Sequence, residues 1–165
     1  MADVRIVPIT ATSIMTFDWL QTPTGLLDET QQLVSAITVA LNTDAVASAG
    51  DALPDPRSTD RRGWWGDMDA ESIWGGWPIG SKLWLMTRAK IVDSGAKEGA
   101  TTVRIRRYIE QALQPFVDKR ICTSFKVDVV QHGASNIAAQ ITIYRGPSPA
   151  IQLNYGPLWT EITGV

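Results

Sequence analysis

The segment 48–80 constrains the fold of this chain more than any other part of its sequence. It is rich in glycine, proline and aspartate, which favour turns over long helices and strands. It also carries four of the seven tryptophans, at Trp64, Trp65, Trp74 and Trp77. Each indole covers about 150–250 Å² of contact surface and favours burial, so a disordered loop fits this composition poorly. We therefore expect an irregular but ordered segment, the tryptophan loop, and loops this long in compact domains are usually functional.

The length and charge of the chain narrow its class. A chain of 165 residues suits one domain, spanning 1–165, with its own hydrophobic core. The 15 Lys and Arg against 17 Asp and Glu give a net charge of −2, which argues against binding nucleic acid through its phosphates. No apolar run approaches the roughly 20 residues that span a bilayer, and no secretory signal pattern opens the chain. We expect a protein made in the cytoplasm whose partners include neither nucleic acid nor membrane.

The first half of the chain gives weaker periodic patterns outside the tryptophan loop. Residues 3–9 alternate weakly and predict a short edge strand, because Pro8 is tolerated only away from the centre of a sheet. The segment 29–43 fits helical and strand spacing alike, and its lack of glycine and proline favours a helix. Ser81 is a candidate cap for a short helix that ends near Lys90.

The second half of the chain has the clearest periodicity. An apolar stripe predicts a helix from about Thr101 to Gln114, and Pro115 is expected to end it. Residues 121–155 alternate apolar and polar side chains and predict a three-stranded antiparallel meander. The helix has the apolar stripe that one face of this sheet needs as cover. The predicted fold is therefore α+β, a small single domain with helices packed on an antiparallel C-terminal sheet.

Residues for catalysis or metal binding are sparse. The single histidine, His132, is placed in a turn by the pattern, and no Gly-x-Ser-x-Gly motif accompanies it. Asp67, Asp69 and Glu71 alternate, but their spacing departs from that of a calcium loop, so we interpret them as solvated acids. Cys122 is the one cysteine, and we expect a structural thiol that faces away from the apolar side of the sheet. We expect no metal, no cofactor and no enzymatic activity.

The stretch 61–67 combines the residue types that most often anchor protein interfaces, arginine and tryptophan, with flanking glycines that allow close backbone approach. The competing interpretation is that Arg61–Asp67 closes the loop internally while both indoles pack in the core, although adjacent side chains of an extended segment rarely both face inward. Exposed tryptophan also stacks on sugars, so a sugar-binding module stays open. The candidate interface residues in this stretch are Arg61, Arg62, Trp64, Trp65 and Asp67.

Three blocks of sequence in a fixed order carry a resemblance to known proteins. They are Asp-Arg-Arg-Gly-Trp-Trp-Gly-Asp at 60–67, Gly-Ser-Lys-Leu-Trp-Leu-Met-Thr-Arg-Ala-Lys at 80–90 and Tyr-Ile-Glu-Gln-Ala-Leu at 108–113. With the segment 33–44 and a closing Tyr-Gly-Pro-Leu-Trp at 155–159, they resemble the baseplate wedge family of Mu-type contractile-tailed phages. The resemblance covers about residues 26–160, and the Arg-Gly-Trp-Trp-Gly-Asp core is its most specific part.

The resemblance implies a structural subunit of the virion, located in the tail baseplate and made in the host cytoplasm. Its implied partners are the larger baseplate wedge proteins and the tail sheath protein, whose assembly it would help initiate, and then the central hub or tube proteins. The family is similar to lysozyme-like wedge and sheath-initiator proteins, a label for the fold that implies no hydrolysis. A cell-wall glycan hydrolase acting through Asp69 or Glu71 is the alternative from another class of function.

The resemblance is incomplete after the long helix. Many wider relatives carry Glu-Pro-Arg there, a motif thought to dock on the wedge bundle, whereas this chain has Gln-Pro-Phe-Val-Asp-Lys-Arg-Ile at 114–121. The motif itself therefore does not carry over. Asp118 and Arg120 are the residues that we predict to take related roles.

Overall fold

The computed structural model describes residues 6–11, 14–19, 21, 23–24, 32–87, 101–132, 136–147 and 149–155. Its helices are α1 (Gln32–Asn42), α2 (Ala70–Trp74) and α3 (Thr101–Asp118), with 3-10 turns at Trp65–Asp67 and Leu83–Met86. Its strands are β1 (Ile6–Ala11), β2 (Ile14–Trp19), β3 (Ser124–His132), β4 (Asn136–Tyr144) and β5 (Pro149–Tyr155). Helices and an antiparallel three-stranded sheet are both present, which confirms the predicted α+β class. None of the helices in these residues is long and apolar enough to cross a bilayer.

The first elements differ in part from the expected pattern. The edge strand predicted over 3–9 is present as β1, displaced toward the C-terminus, and it pairs antiparallel with β2, which the pattern did not predict. The helix predicted over 29–43 is confirmed as α1. It buries Ile37, Ala40 and Leu41, because these residues recur at helical spacing on one side. This side of α1 faces the core, and α1 contacts both α3 and β1.

Helix α3 forms the centre of the molecule. Ile105, Ile109, Leu113 and Phe116 are buried along its predicted apolar stripe. The expected end at Gln114 is wrong, because the helix continues through Pro115 to Asp118. Proline removes one hydrogen bond from a helix, but here it lies in the last turns, where burial of the following Phe116 holds the chain in place.

The end of α3 is closed by backbone hydrogen bonds in the Schellman arrangement. The N–H of Ile121 donates to the carbonyl of Phe116 at 2.9 Å, and that of Arg120 donates to the carbonyl of Val117 at 2.9 Å. This geometry requires a left-handed residue, and Arg120 supplies it with φ of 59°. Glycine is the usual residue there, so an arginine at this position is a departure from the rule.

The predicted meander is confirmed as an antiparallel sheet in the order β3-β4-β5. Its register pairs Val127 with Ile141 and Ile141 with Leu153. Alternate residues of β3 and β4 form one apolar face, which joins the core beneath α3. The structure corrects the placement of His132, which is the last residue of β3 and pairs with Asn136 instead of lying in a turn.

Cys122 does not face outward as the alternation predicted. It is buried in the core, and its N–H donates to the carbonyl of Phe116 at 3.2 Å. The cause is that β3 begins only at Ser124. Cys122 therefore belongs to the connection from α3, and strand alternation does not apply to it.

The segment after the tryptophan loop returns to the end of α1. Ser81 forms a parallel bridge with Asp44. Its N–H donates to the carbonyl of Thr43 at 2.8 Å, and its carbonyl accepts from the N–H of Ala45 at 2.9 Å. Gly80 makes this approach possible, because its φ is +129° and a Cβ would lie 2.8 Å from the nitrogen of Ala45.

The short helix predicted after Ser81 is a 3-10 turn, whose four residues, Leu83–Met86, are all buried. The Ser81 hydroxyl donates to the carbonyl of Leu41 at 2.7 Å and accepts from the N–H of Leu83 at 3.4 Å, so its capping contact is long. The expected end near Lys90 lies outside the described residues.

Candidate protein interface

The start of the tryptophan loop is closed by Arg61. Its guanidinium donates to the carbonyl of Ser48 and, at 3.2 Å, to that of Ala49. Its own carbonyl accepts from the N–H of Ala47 at 3.0 Å. Arg61 is one of the predicted interface residues. In the structure its guanidinium makes hydrogen bonds within the chain, and these bonds order the loop.

A second closure joins the loop to the segment that follows it. The Lys82 ammonium lies 2.7 Å from a carboxylate oxygen of Asp51 and 2.7 Å from the Ser48 hydroxyl. Burial acts to raise the pKa of the Asp51 carboxyl, but hydrogen bonds from Lys82 and from the Ser48 N–H outweigh it and hold the pKa below the ordinary value. The carboxyl is therefore ionised at neutral pH. The ion pair joins the start of the tryptophan loop to the segment that follows the loop.

Arg62 lies over the core tryptophan Trp84. Its guanidinium carbon is 4.7 Å from the ring centroid, and its Nη1 is 2.6 Å from a carboxylate oxygen of Asp44. Trp84 is buried, and its indole N–H donates to the carbonyl of Ala45 at 2.8 Å. The backbone of Arg62 is left-handed, with φ of 51°. These contacts explain how a non-glycine residue is held there.

The two adjacent indoles have different environments. Trp64 is half-buried, and a Cβ on Gly66 would lie 2.4 Å from its ring. Trp65 is 76% exposed, and its ring centroid is 5.4 Å from that of Trp64 in a tilted contact. Core packing, one of the interpretations left open for these indoles, therefore does not apply to Trp65. The glycine lets Trp64 fold over the backbone, and Trp64 in turn supports the exposed ring of Trp65.

Exposed apolar side chains continue beyond Trp65. Met68 is 82% exposed and Ile73, on α2, is 60% exposed. The sequence patterns did not indicate either residue, because neither belongs to the Arg-Gly-Trp-Trp-Gly-Asp core. Met and Ile in a loop segment without helical or strand periodicity are the sequence signal that would have indicated them. Several large exposed apolar side chains close together are typical of an interaction surface.

Asp67 is half-buried at the end of the 3-10 turn. Its Oδ1 accepts from the N–H of Ile79 at 2.9 Å, which joins the middle of the tryptophan loop to its C-terminal end. Its Oδ2 is shielded from solvent and has no hydrogen-bond partner within the described part of the chain. Asp67 thus has a structural contact and one unsatisfied oxygen.

The two other predicted interface residues lie at the end of α3. Asp118 is exposed and accepts from the Gln114 side-chain amide at 2.8 Å. Arg120 is exposed as well. The ammonium of Lys119, which lies between Asp118 and Arg120 in the sequence, donates to the carbonyl of Gly75 at 3.1 Å. The ring of Trp77 packs edge-on against Phe116 with centroids 4.8 Å apart. The structure therefore brings the end of α3 against the second half of the tryptophan loop.

The acidic residues of the loop are not gathered into a metal site in the described part of the chain. Asp69 and Glu71 are both exposed. Among the described residues, no group of three or more His, Cys, Asp and Glu side chains is close enough to hold a metal ion. The arrangement is suited to contact with another protein through exposed apolar and charged groups.

Comparison with known proteins identifies relatives of this chain. A family model described as phage protein GP46 matches residues 33–149. The chain is 43% identical over 82 residues to baseplate protein gp46 of Escherichia phage Mu, a match that covers 50% of this chain and 48% of that protein. It is 29% identical over 141 residues to Mu-like prophage FluMu protein gp46 of Haemophilus influenzae, covering 86% and 87%. The Mu match thus spans about half the length of that relative, which is named as a baseplate protein.

Proposed function

The chain belongs to the phage protein GP46 family, and from this premise we propose that it is a structural component of a contractile phage tail baseplate. In this proposal it binds the larger baseplate wedge proteins and helps to initiate assembly of the tail sheath. It contacts the central hub or tube proteins where they adjoin the wedge, and it resides in the virion. The likeness of its fold to lysozyme-like wedge proteins is part of the same proposal.

The observation that carries the proposal is the exposed indole of Trp65 on an ordered loop. A large aromatic side chain gains most from burial against a partner, and it loses little entropy when its support is already rigid. Here the support consists of Trp64, Gly66 and the Arg61 closure described above. Met68 and Ile73 add apolar area to the same segment of the loop.

Arg120 supports a second contact at the end of α3. Arg62 and Arg120 are the two non-glycine residues with positive φ in the described part of the chain. Arg62 has compensating contacts with Asp44 and Trp84. Arg120 is exposed and has no ion-pair partner among the described residues, so its side chain is free to reach a partner. A strained arginine in place of glycine supports a role in binding.

The sheet offers a third type of contact. Strands β3 and β5 each have one neighbour among the described strands. An edge strand can accept a further strand through its backbone, with alternate side chains giving register. We propose strand addition as the route by which a sheath subunit extends this sheet.

The proposal is tested by co-expressing the chain with the larger wedge proteins of the same phage or prophage. Trp65→Ala is expected to keep its thermal stability and to reduce co-purification at least tenfold, because an anchor is lost and no core contact is lost. Val103→Ala is the matched control, since Val103 is an exposed apolar residue on α3 and is expected to co-purify normally. Normal assembly of Trp65→Ala and of Met68→Ala would rule out the loop as an anchor.

A further inference from the structure

A groove beside the tryptophan loop is lined by a carboxylate oxygen that has no hydrogen-bond partner in the described structure. It lies between the second half of α3 and the crossing of residues 45–46 with 78–82, and its volume is about 460 Å³. Its apolar walls come from Val46, Pro78, Ala112 and Pro115. An elongated side chain with an apolar stem fits such walls.

The charge of the groove is unbalanced. Among the described residues that line it, Asp67 and Lys82 are the charged ones. The Lys82 ammonium is already engaged at 2.7 Å by both Asp51 and Ser48. Asp67 uses Oδ1 for the Ile79 N–H, and its shielded Oδ2 has no partner in the described structure. A carboxylate oxygen withdrawn from water without a donor is unfavourable, and a cationic donor would correct it.

The opposite wall supplies a second acceptor. Gln111 and Pro115 both line the groove, one helical turn apart on α3. Proline has no N–H, so the carbonyl of Gln111 lacks the hydrogen bond that a helix normally gives it from the residue four positions on. Two residues that line the groove, Asp67 and Gln111, therefore each carry an acceptor with an unused lone pair.

We propose that this groove binds the guanidinium group of an arginine side chain from a partner protein. A guanidinium has five N–H donors in a planar fork and no acceptor, so it can serve two acceptors at once, whereas an ammonium is a compact point charge. The torsion about Cβ–Cγ of aspartate is broad, so the carboxylate can turn toward the donor. That a baseplate partner supplies the arginine rests on the proposed function. That the groove binds a guanidinium group rests only on the residues that line it.

The test is a titration of the full chain, followed by amide NMR, with N-acetyl-argininamide as the probe. Saturable shifts are expected at the amides of Ile79, Gly80 and Gln111. The neutral isostere N-acetyl-citrullinamide and the flexible cation N-acetyl-lysinamide are expected to bind at least tenfold more weakly. Absence of saturable shifts, or equal binding of either comparison probe, would overturn the assignment.

Asp67→Asn provides the matching variant, because it removes the charge and keeps an acceptor for the Ile79 N–H. It is expected to weaken the arginine probe at least tenfold, while Asp69→Asn, at an exposed acid two residues on, binds as the wild type does. Unchanged binding by Asp67→Asn would refute the proposal. If Asp67→Asn does not fold, the comparison among the three probes on the wild type decides.

The outcome is separable from that of the baseplate proposal. Probe binding is measured on the isolated chain, so it can succeed when Trp65→Ala leaves wedge assembly unchanged. Wedge assembly can likewise depend on Trp65 when the groove binds no arginine.

Discussion

Gly66 shows how a missing side chain positions an exposed one. A Cβ added at Gly66 would lie 2.4 Å from ring atoms of Trp64. Because Trp64 contacts Trp65, a change at Gly66 affects the exposed indole without touching it. The glycine is therefore required by close approach, and it determines which of two adjacent tryptophans is supported and which is presented.

Gly66→Ala is expected to lower the free energy of unfolding by about 1–3 kcal/mol, because the added methyl group overlaps the Trp64 ring and forces it to move. Urea unfolding followed by tryptophan fluorescence measures the change.

Gly50→Ala is the control for this substitution, since a Cβ at Gly50 meets no atom within 4 Å. It is expected to change stability by no more than about 0.5 kcal/mol. Equal stability of the two variants would mean that Trp64 does not need the space over Gly66.

At the scale of elements, the end of α3 joins the helix to the tryptophan loop and to the sheet. The Schellman closure directs the chain from Phe116 toward β3, and Lys119 and Trp77 attach the loop to the same helical turns. Asp118 and Arg120 project from this junction as exposed residues. Residues that stabilise the fold and residues proposed to bind a partner thus lie in one short stretch. Substitutions there can change the free energy of unfolding and partner binding in opposite directions.

Arg120→Gly is expected to raise the free energy of unfolding by about 0.5–1 kcal/mol, because glycine adopts the left-handed conformation without strain. The same substitution removes a proposed contact and is expected to weaken wedge co-purification. Urea unfolding and co-purification measure the two effects.

Arg57→Gly is the comparison for a glycine placed without that benefit. Arg57 is an exposed loop residue outside the positive-φ set, so its replacement is expected to lower stability slightly through the entropy of the unfolded chain. An Arg120→Gly variant that lost stability in the same way would argue against backbone strain at Arg120.

For the whole molecule, one core holds α1, α3, the 3-10 turn at Leu83–Met86 and the sheet together. Cys122 lies in this core where α3 connects to β3. Burial raises the pKa of its thiol above the ordinary 9.0, and the nearby Arg145 offsets only part of that effect. The thiol is a reporter of the whole core, because it becomes accessible only when the core opens.

We expect the native Cys122 thiol to resist a disulfide reagent at pH 8 and to react fast in urea. The raised folded pKa means that the folded state keeps its proton where the unfolded state loses it, so stability falls as pH rises above 9.0. The labelling rate is expected to rise with urea in parallel with global unfolding. Fast, urea-independent labelling of the native protein would show that this junction opens locally.

The sequence predicted the type of candidate site, an ordered loop with aromatic and charged residues, but not the contacts of each residue in it. Arginine, tryptophan and glycine at 61–67 indicated an ordered loop with an anchor, and they left core packing open for either indole. The sequence did not distinguish Trp64 from Trp65, because their environments depend on the fold of the indole over Gly66. It left an internal closure by Arg61–Asp67 open, but it did not predict the partners of Arg61 or the groove at Asp67, since both depend on residues more than ten positions away.

What the sequence by itself determined is the local order: the apolar stripe of α3, the alternation of β3 and β4, and the breaks between them. These follow from the fixed periods of helix and strand, which a few neighbouring residues are enough to display. Only the tertiary structure decided that α3 passes Pro115, that Cys122 is buried and that Trp65 is exposed. Each of these depends on packing between distant segments, whose energy outweighs the local preference of any one residue.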